Sequence, residues 1–565
     1  MSELKPRTRE GRRLLSLVLV ALLLAAPALG RQAATGAATA PRPAPLALLT
    51  GAERELSARV RTETIKEVTA ALSSKEMQGR GTGQPGGELA ARYIAERFAR
   101  VGLKPLGGAK DSFLQPIPFR ESQLAPETSF TADGEPLRMR DDFVFVPPFS
   151  GAKEAAGRLV FVGYGLQLNA PRRDDLKGID VRGKIVVLLE GPPKGIDRAA
   201  WKKARVGMHV LRTLIMGGAV GLVFAGMNSE EMPYATLADY MTRRQIEPAD
   251  AERAPRQLPP FVAVSDAGAE KLFAGSGTTF AEARARAERG EFASVELKQS
   301  ARLKFRTQEA RVTASNVVGL LEGSDPKLKA EAVVYTAHYD AFGATPDGRF
   351  YPGAADNALG VAEMLAAAEA LVAAKPRRSV IFLAVTGEEY GLHGSEYWVR
   401  NPTWNLQQVA ADLNFDGMGT EIHGPLKQLV GFGAEHSELG ALLEAVAAAT
   451  GTQVIPDPMP EEKSFYRSDH YAFVKRGIPA LMLLGTPEAD RQTIVARIKA
   501  YEREHYHQPS DVVRPEWDWQ GPTGVARVGA LIGLRLANAD AMPAWLHSSP
   551  FNRKRGTDED PPEEP

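Results

Sequence analysis

Hydrophobic and polar positions along residues 312–540 predict strands that alternate with helices. Short apolar runs predict strands at 314–321, 332–335, 379–385, 409–414, 428–430 and 478–484. Segments with helical spacing of apolar residues occur between or after them, at 360–374, 395–401, 436–450 and 524–538. Strands separated by helices indicate an α/β fold with a doubly wound, largely parallel sheet that carries helices on both faces.

The pattern changes along the rest of the chain and predicts further domains. Residues 53–145 include two helical segments, 62–72 and 87–101, joined by a glycine-dense loop. Residues 146–300 carry short β-type runs and one helix, which predicts a smaller α/β domain inserted into the main one. Residues 546–565 end in a mixture of charges and proline, and we expect them to form a disordered tail.

The first 30 residues have the pattern of an export signal. A basic segment precedes an apolar run at 14–24, and the small residues Ala28 and Gly30 follow it. The run is shorter than the roughly 20 residues that span a bilayer, which favours cleavage over an uncleaved anchor. Residues 31–52, rich in alanine and proline, predict a flexible linker. We therefore expect a periplasmic or extracellular protein without stable membrane association after cleavage.

Composition excludes several classes of function. Lys and Arg number 69, as do Asp and Glu, so the net charge of zero indicates neither nucleic acid nor an anionic membrane as partner. The chain has no cysteine, which excludes thiolate zinc sites and cysteine nucleophiles. Ser468, Asp469 and His470 are consecutive and cannot hold the geometry of a catalytic triad. Any metal must therefore be held by histidine and carboxylate side chains.

Such side chains follow the predicted strands of residues 312–540 in succession. In this fold, functional residues follow the carboxyl ends of strands. The candidates are His338 and Asp340 after the second strand, Asp356 at the start of a helix, Glu388 and Glu389 after the third, Asp416 after the fourth, and His507 in a later loop.

Each candidate also has a simpler interpretation when taken alone. Asp356 could cap its helix, and Glu388 with Glu389 could form a solvated acidic turn. Their joint occurrence favours one site. Histidine and carboxylate ligands without sulfur fit zinc, with cobalt or manganese as alternatives. Five ligands that include a bridging carboxylate fit two ions, and one glutamate of the pair would then take a proton from metal-bound water.

These residues resemble the motifs of the M28 metallopeptidase family. The resemblance rests on residues 338–340 (HYD), 356–357 (DN), 386–395 (TGEEYGLHGS), 414–417 (NFDG), 468–470 (SDH), 477–480 (GIPA) and 506–507 (YH). Residues 53–145 resemble the N-terminal part of the peptidase domain, of which residues 301–545 would be the catalytic part. Residues 146–300 resemble a protease-associated (PA) domain.

The resemblance implies a role for each candidate. Asp356 would bridge two zinc ions, with His338 and Asp416 on one ion and Glu389 and His507 on the other. Glu388 would be the general base, Asp340 would hold His338, and Tyr466 is a candidate donor to the oxyanion. His393 departs from the family pattern, which has an apolar residue there, and we expect it to serve packing.

The function implied is an exported dizinc aminopeptidase acting on peptides or proteins. A carboxypeptidase or dipeptidase on the same site remains an alternative. A glutaminyl cyclase, which uses one zinc, is disfavoured because His338 and Asp416 are both retained. A binding protein that has lost catalysis is disfavoured by the complete ligand set. The sequence fixes neither the preferred side chain of the substrate nor the oligomeric state.

Overall fold

The computed structural model describes residues 48–147, 153–169, 172–195, 201, 206–229, 232–251, 258–291, 294–417 and 419–558. The predicted export signal, most of the linker and residues 559–565 of the predicted tail lie outside these ranges. The described chain divides into two compact units. The larger unit comprises residues 48–120, 246–251 and 311–558, and the smaller comprises the described parts of 121–245 and 252–310.

The described residues contain helices α1 to α13. In chain order they are Gly51–Arg59, Thr62–Leu72, Pro85–Val101, Val206–Met216, Tyr234–Met241, Asp266–Phe273, Phe280–Glu288, Leu359–Ala374, His393–Arg400, Leu439–Thr450, His470–Lys475, Arg491–Glu504 and Gln520–Asn538.

They also contain strands β1 to β22. In chain order these are Lys104–Pro105, Leu114–Leu124, Ser129–Ala132, Glu135–Pro136, Phe143–Phe145, Lys153–Phe161, Gln167–Asn169, Arg172–Asp174, Ile185–Leu189, Gly221–Ala225, Gln245–Pro248, Phe261–Val264, Val295–Phe305, Thr307–Leu321, Ala332–His338, Gly343–Ala344, Phe350–Tyr351, Ser379–Val385, Val409–Phe415, Gln428–Phe432, Gln453–Val454 and Ala480–Thr486.

A mixed sheet of ten strands forms the centre of the larger unit. Its order is β11-β2-β14-β18-β15-β19-β22-β20-β21, and β1 pairs with β14. The four central strands, β18, β15, β19 and β22, are parallel, whereas β14 and β20 flank them in the antiparallel direction. Every residue of the four central strands is buried, as expected for parallel strands that are covered on both faces. The predicted α/β fold is confirmed, with a parallel centre and antiparallel edges.

Helices cover both faces of this sheet. Alternate residues of β15 point to opposite cores: Val333 and Tyr335 pack with α1, α2, α3, α8 and α13, whereas Val334 packs with α9 and α11. The described chain has one helix, Ala354–Ala374, that is long and apolar enough to cross a membrane by length and composition. That segment includes α8 and is largely buried against its neighbours, which explains its apolar surface as the core helix of the unit.

The smaller unit has its own sheet of eight strands, in the order β4-β3-β13-β6-β9-β10-β12-β5. The sequence placed the start of this domain at residue 146, but the unit begins at Glu121. The difference arises because β3 and β5, which precede residue 146, pair with β13 and β12 of this sheet. The likeness of this unit to a PA domain stays a prediction.

Part of the predicted disordered tail packs against the larger unit. Phe551 is buried in the core beside α11. The Arg555 guanidinium donates hydrogen bonds to the backbone carbonyl oxygens of Val409 and Ala410, at 3.0 and 2.9 Å. Residues 546–558 therefore differ from the prediction, because one aromatic ring and one arginine anchor a segment whose composition is otherwise polar.

Candidate metal centre

The predicted ligand residues lie at the carboxyl ends of the central parallel strands. His338 is the last residue of β15, Asp416 directly follows β19, and Glu388 begins a 3₁₀ turn just after β18. Because β15 is the parallel neighbour of both β18 and β19, the three strand ends share one edge of the sheet. The topology thus brings together residues that are far apart in the sequence.

His338, Asp356 and Asp416 form the first of two groups of potential metal ligands. The Nε2 atom of His338 lies 3.2 Å from Oδ1 of Asp356 and 3.4 Å from Oδ1 of Asp416. The other ring nitrogen, Nδ1, lies 3.2 Å from the backbone carbonyl oxygen of Asp340. This contact fixes the ring of the buried histidine so that Nε2 faces the two carboxylates.

Asp356, Glu389 and His507 form the second group. The Nε2 atom of His507 lies 2.9 Å from Oε2 of Glu389 and 3.3 Å from Oδ2 of Asp356. The Tyr506 ring stacks on the His507 imidazole with centroids 3.6 Å apart, which holds its orientation. Asp356 belongs to both groups and turns one oxygen to each imidazole, the arrangement expected of a carboxylate between two cations.

The spacing of these donors fits zinc. Ligands about 2.0–2.1 Å from a tetrahedral zinc ion lie roughly 3.3 Å from one another. The four separations between imidazole nitrogen and carboxylate oxygen run from 2.9 to 3.4 Å. Nitrogen and oxygen ligands without sulfur are also compatible with zinc. All five sequence-predicted ligands, His338, Asp356, Glu389, Asp416 and His507, are therefore placed where they could hold metal.

Glu388 faces the first group without belonging to it. Its Oε2 atom lies 3.9 Å from Nε2 of His338. Its backbone N–H donates a hydrogen bond of 3.2 Å to the carboxylate of Asp340. The two glutamates of the pair thus point to different imidazoles, Glu388 to His338 and Glu389 to His507.

Asp340 contacts His338 differently from the prediction. Its carboxylate oxygen Oδ1 lies 3.8 Å from Nδ1 of His338, farther than its own backbone carbonyl. The carboxylate instead accepts hydrogen bonds from the backbone of Glu388 and from the Thr82 hydroxyl, the latter at 3.1 Å. Asp340 therefore joins the loop of His338 to the loop of Glu388.

Burial and mutual repulsion shift the pKa values of the two glutamates. Burial raises the pKa of Glu388 well above its ordinary value, while His338 opposes the shift and Asp416 adds to it. Burial also raises the pKa of Glu389 to about 7, against the opposing charge of His507. Cations near these groups would favour their ionised forms.

The imidazoles are shifted in the opposite sense to that expected from burial. Burial alone would lower the pKa of His338, but Glu388, Asp356 and Asp416 outweigh it and raise the pKa well above the ordinary value. The pKa of His507 is raised in the same way, chiefly by Glu389. A metal ion must displace a proton from each imidazole, so metal binding at this site should release protons.

The structure does not bring Tyr466 to the site. Its ring packs against Phe465 and Tyr471, with centroids 5.2 and 5.1 Å apart, and it is absent from the described residues that line the pocket. The predicted role of Tyr466 is therefore unsupported, because its partly buried ring packs against aromatic neighbours and is not part of the described pocket lining. Tyr506, which directly precedes His507, does line the pocket beside Glu388.

Two other predictions from the sequence agree with the geometry. Ser468 accepts a hydrogen bond from Asn414 at 2.7 Å, and Asp469 accepts one from Ser395 at 2.6 Å, so neither is arranged as part of a Ser-His-Asp triad. His393 lies away from the ligand groups, with Nε2 at 3.1 Å from the backbone carbonyl oxygen of Ile246.

The sequence did not predict the side chains that hold the ligand-bearing loops in place. Arg80, Thr82 and Asp511 are buried and form hydrogen bonds to ligand-bearing loops. The only signals in the sequence were the glycines around Arg80 and the position of Asp511, four residues after His507. Neither signal indicates a contact partner, since those partners lie more than 150 positions away.

A mixed polar and apolar pocket opens over the first ligand group. Its empty volume, which includes space that is open to solvent, is about 630 Å³. The lining residues include His338, Asp356, Glu388, Asp416, Ser464, Arg467, Met482, Ile498, Glu502 and Tyr506.

The mixed α/β sheet carries these nitrogen and oxygen donors beyond the carboxyl ends of its central strands. Residues 316–530 match the model of Peptidase family M28. Its bounds include all five candidate ligands and Glu388.

Relatives of known name match shorter segments. The Aminopeptidase YwaD of Bacillus subtilis (strain 168) is 31% identical over 135 residues, which cover 24% of this chain and 27% of that protein. A Vacuolar membrane protease of Candida albicans (strain WO-1) is 34% identical over 110 residues, 19% of this chain. The match spans only 12% of that protein's length, so it carries no statement about the whole protein.

Solved structures share the fold over most of the chain. An aminopeptidase from Aneurinibacillus sp. strain AM-1 superposes with a TM-score of 0.55 at 18% identity, covering 87% of this chain and 97% of that one. A zinc aminopeptidase from Bacillus subtilis superposes with a TM-score of 0.51 at 17% identity, covering 85% and 96%. At these identities the likeness shows the fold alone.

Proposed function

We propose that this protein is an exported aminopeptidase that binds two zinc ions and hydrolyses peptides from their N-terminus. The observation that carries the proposal is the position of Asp356. One of its oxygens lies 3.2 Å from the imidazole of His338 and the other 3.3 Å from that of His507. A single carboxylate shared by two ligand groups fits a pair of closely spaced cations.

Each ion would have its own set of ligands. His338 and Asp416 would complete one set, Glu389 and His507 the other, and Asp356 would belong to both. When bound, zinc supplies Lewis acidity, which polarises the peptide carbonyl and makes a water molecule more acidic.

Glu388 would move the proton during the reaction. Its carboxylate lines the pocket, and its backbone N–H is anchored to Asp340. An ionised Glu388 accepts the proton of the attacking water and delivers it to the amine that leaves. The neighbouring Glu389 is unsuited to this task because its oxygen is engaged 2.9 Å from His507.

Tyr506 replaces Tyr466 as the proposed donor to the developing oxyanion. It lines the pocket with Glu388 and Asp416, and its stacking on His507 fixes the ring. Burial raises the pKa of Tyr506 well above its ordinary value, so the phenol stays protonated and able to donate.

The preference for N-terminal residues is supported by the names of similar proteins. Both structural neighbours described above, and YwaD, are aminopeptidases by name. Export is supported by the pattern of the first 30 residues.

Blocked peptides test the end specificity directly. One peptide is supplied in three forms: free at both ends, N-acetylated, and C-amidated. An aminopeptidase hydrolyses the free and the C-amidated forms and loses activity on the N-acetylated form, and zinc chelation abolishes both activities. Hydrolysis of the free and N-acetylated forms but not of the C-amidated form would instead assign a carboxypeptidase. A requirement for both free ends would assign a dipeptidase.

A further inference from the structure

Arg80 is a fully buried cation that donates to four backbone carbonyl oxygens and to no side chain among its described contacts. Its Nε bonds Tyr339 at 2.5 Å, and its Nη2 bonds Gly353 at 2.7 Å. Its Nη1 bonds both Leu72, at 2.7 Å, and Pro352. A planar guanidinium fixes the directions of all its donors at once, which a flexible ammonium does not.

Three of these carbonyls lie in the loops that carry two ligands, and the fourth belongs to Leu72, the last residue of α2. Tyr339 directly follows His338, and Gly353 precedes Asp356 by three residues. The guanidinium of Arg80 therefore sets the spacing between the His338 loop and the Asp356 loop. Glycine at position 79 permits the approach, since a methyl group there would lie 2.5 Å from the Tyr351 carbonyl oxygen.

Asp511 makes the corresponding connection on the other side of Asp356. Its carboxylate accepts hydrogen bonds from the backbone N–H groups of Ala355 and Asp356, each at 3.1 Å. Its backbone carbonyl accepts one from Ala354, also at 3.1 Å. Asp511 lies four residues after His507, so it ties the His507 loop to the backbone of Asp356.

We propose that Arg80 and Asp511 are positioning residues that set the separation of the two zinc sites, Arg80 by spacing His338 from Asp356 and Asp511 by spacing His507 from Asp356. The inference rests on the proposed two-zinc function. Neither residue touches the reacting groups, and both act through the ligands that they hold in place.

Electrostatics supports a structural cation at position 80. Burial lowers the pKa of Arg80 to about 10, with Asp511, Asp340 and Asp356 opposing the shift, so the group stays charged at neutral pH. Its charge offsets part of the repulsion among the buried carboxylates.

Arg378 offers a matched control. It is also fully buried in the larger unit and also donates to backbone carbonyls, those of Leu536 and Ala539. It precedes β18, whereas Glu388 and Glu389 follow that strand, so it lies at the opposite edge of the sheet from the ligands. Substitution of Arg378 should cost stability in the same way without reaching the zinc ligands.

The test measures zinc affinity by competition with a chromogenic chelator in the full chain, for wild type, Arg80→Lys, Arg80→Met, Asp511→Asn and Arg378→Lys. Circular dichroism and urea unfolding report fold and stability. We expect Arg80→Lys and Asp511→Asn to weaken zinc binding by about 10- to 100-fold in the folded protein, the usual effect of losing support for a ligand. Arg378→Lys should lower stability and leave zinc affinity unchanged.

Unchanged zinc affinity in folded Arg80→Lys and Asp511→Asn would overturn the inference, as would an equal loss in Arg378→Lys. If Arg80→Met does not fold, the zinc affinities of Arg80→Lys and Asp511→Asn decide the test. A wild-type chain that binds fewer than two zinc ions would instead contradict the proposed function, and the two failures are thus distinguishable.

Discussion

Glu388 and Glu389 are adjacent in the chain, yet they face different imidazoles. Glu389 is held by His507 at 2.9 Å, whereas Glu388 lies 3.9 Å from His338 and borders the pocket. The 3₁₀ turn that begins at Glu388 separates their directions. The roles of ligand and base can thus be divided between two identical side chains by backbone geometry.

Glu388→Gln should retain zinc and lose hydrolysis. The amide has nearly the same shape as the carboxylate but cannot accept the proton of the attacking water, and general base catalysis contributes about 10²- to 10⁴-fold. Zinc content by atomic absorption and initial rates on a peptide check this expectation. The control is Glu363→Gln, which changes another buried glutamate outside the ligand groups. Wild-type rates in Glu388→Gln would remove the assignment.

Glu363→Gln should raise stability at neutral pH. Burial raises the pKa of Glu363 well above its ordinary 4.5, with Glu421 adding to the shift. The native state therefore binds more protons than the unfolded state above about pH 4.5, and stability falls as pH rises through the folded pKa.

The gain in Tm of Glu363→Gln over wild type should therefore grow as pH rises from about 5 to 8, the range above the unfolded pKa. Thermal unfolding across this range measures it, with the exposed Glu444→Gln as control. A gain that does not vary with pH would contradict this account of Glu363.

At the residue scale, the sequence indicated ligands better than their supports. His338, Glu389 and Asp416 follow apolar runs that mark strand ends, so local pattern and topology together predicted their meeting. Arg80 and Asp511 act on backbone groups of distant loops, and a backbone contact leaves no pattern in the partner's sequence. Tyr466 was the only oxyanion donor proposed from the sequence, because sequence alone does not tell which ring reaches the pocket.

Strands and helices could be predicted from the sequence where nearly all of their residues are buried and therefore mostly apolar. The four central strands are buried throughout and mostly apolar, and β18 has the predicted bounds of 379 and 385. Helix α12 was not predicted, since only Ile494, Ile498 and Tyr501 are buried in a strongly charged segment. Strand β2 contains Pro116 and Pro118, which disfavour a strand, although it pairs within the sheet.

Gly360→Ala should destabilise the protein although alanine favours helices by about 1 kcal/mol over glycine. Gly360 lies in the first turn of α8, where an added methyl group would lie 2.2 Å from Asn357 Oδ1 and 2.5 Å from the Phe415 carbonyl oxygen. Relief of this overlap must move the end of β19, next to Asp416.

We therefore expect a lower Tm and weaker zinc binding in Gly360→Ala. Thermal unfolding and the chelator competition measure both. Gly207→Ala is the control, because the nearest atom to its added methyl group is 3.9 Å away. A Gly360→Ala protein as stable as wild type would show that the close approach is not required.

At the scale of the whole molecule, the net charge of zero conceals a local excess of negatively charged side chains. The formal net charge is zero, but the ligand edge of the larger unit concentrates Asp340, Asp356 and Asp511 in buried positions and Glu388 and Glu389 in partly buried ones. Such a concentration is costly unless cations offset it. Folding and metal binding should therefore be linked.

Removal of zinc should lower the stability of the unit that holds the site. A ligand at 1,000 times its Kd stabilises the native state by about 4 kcal/mol, so chelation should lower the corresponding Tm by several degrees. Differential scanning calorimetry with and without chelator measures the shift. Asp356→Ala should show no such shift, and a chelator effect that persists in Asp356→Ala would contradict the linkage.

Anomalous X-ray scattering at the zinc absorption edge, from crystals of the zinc-loaded protein, tests the central claim most directly. The account predicts two peaks on either side of Asp356, one between His338 and Asp416 and one between His507 and Glu389. A single peak, or none within reach of both imidazoles and Asp356, would contradict it.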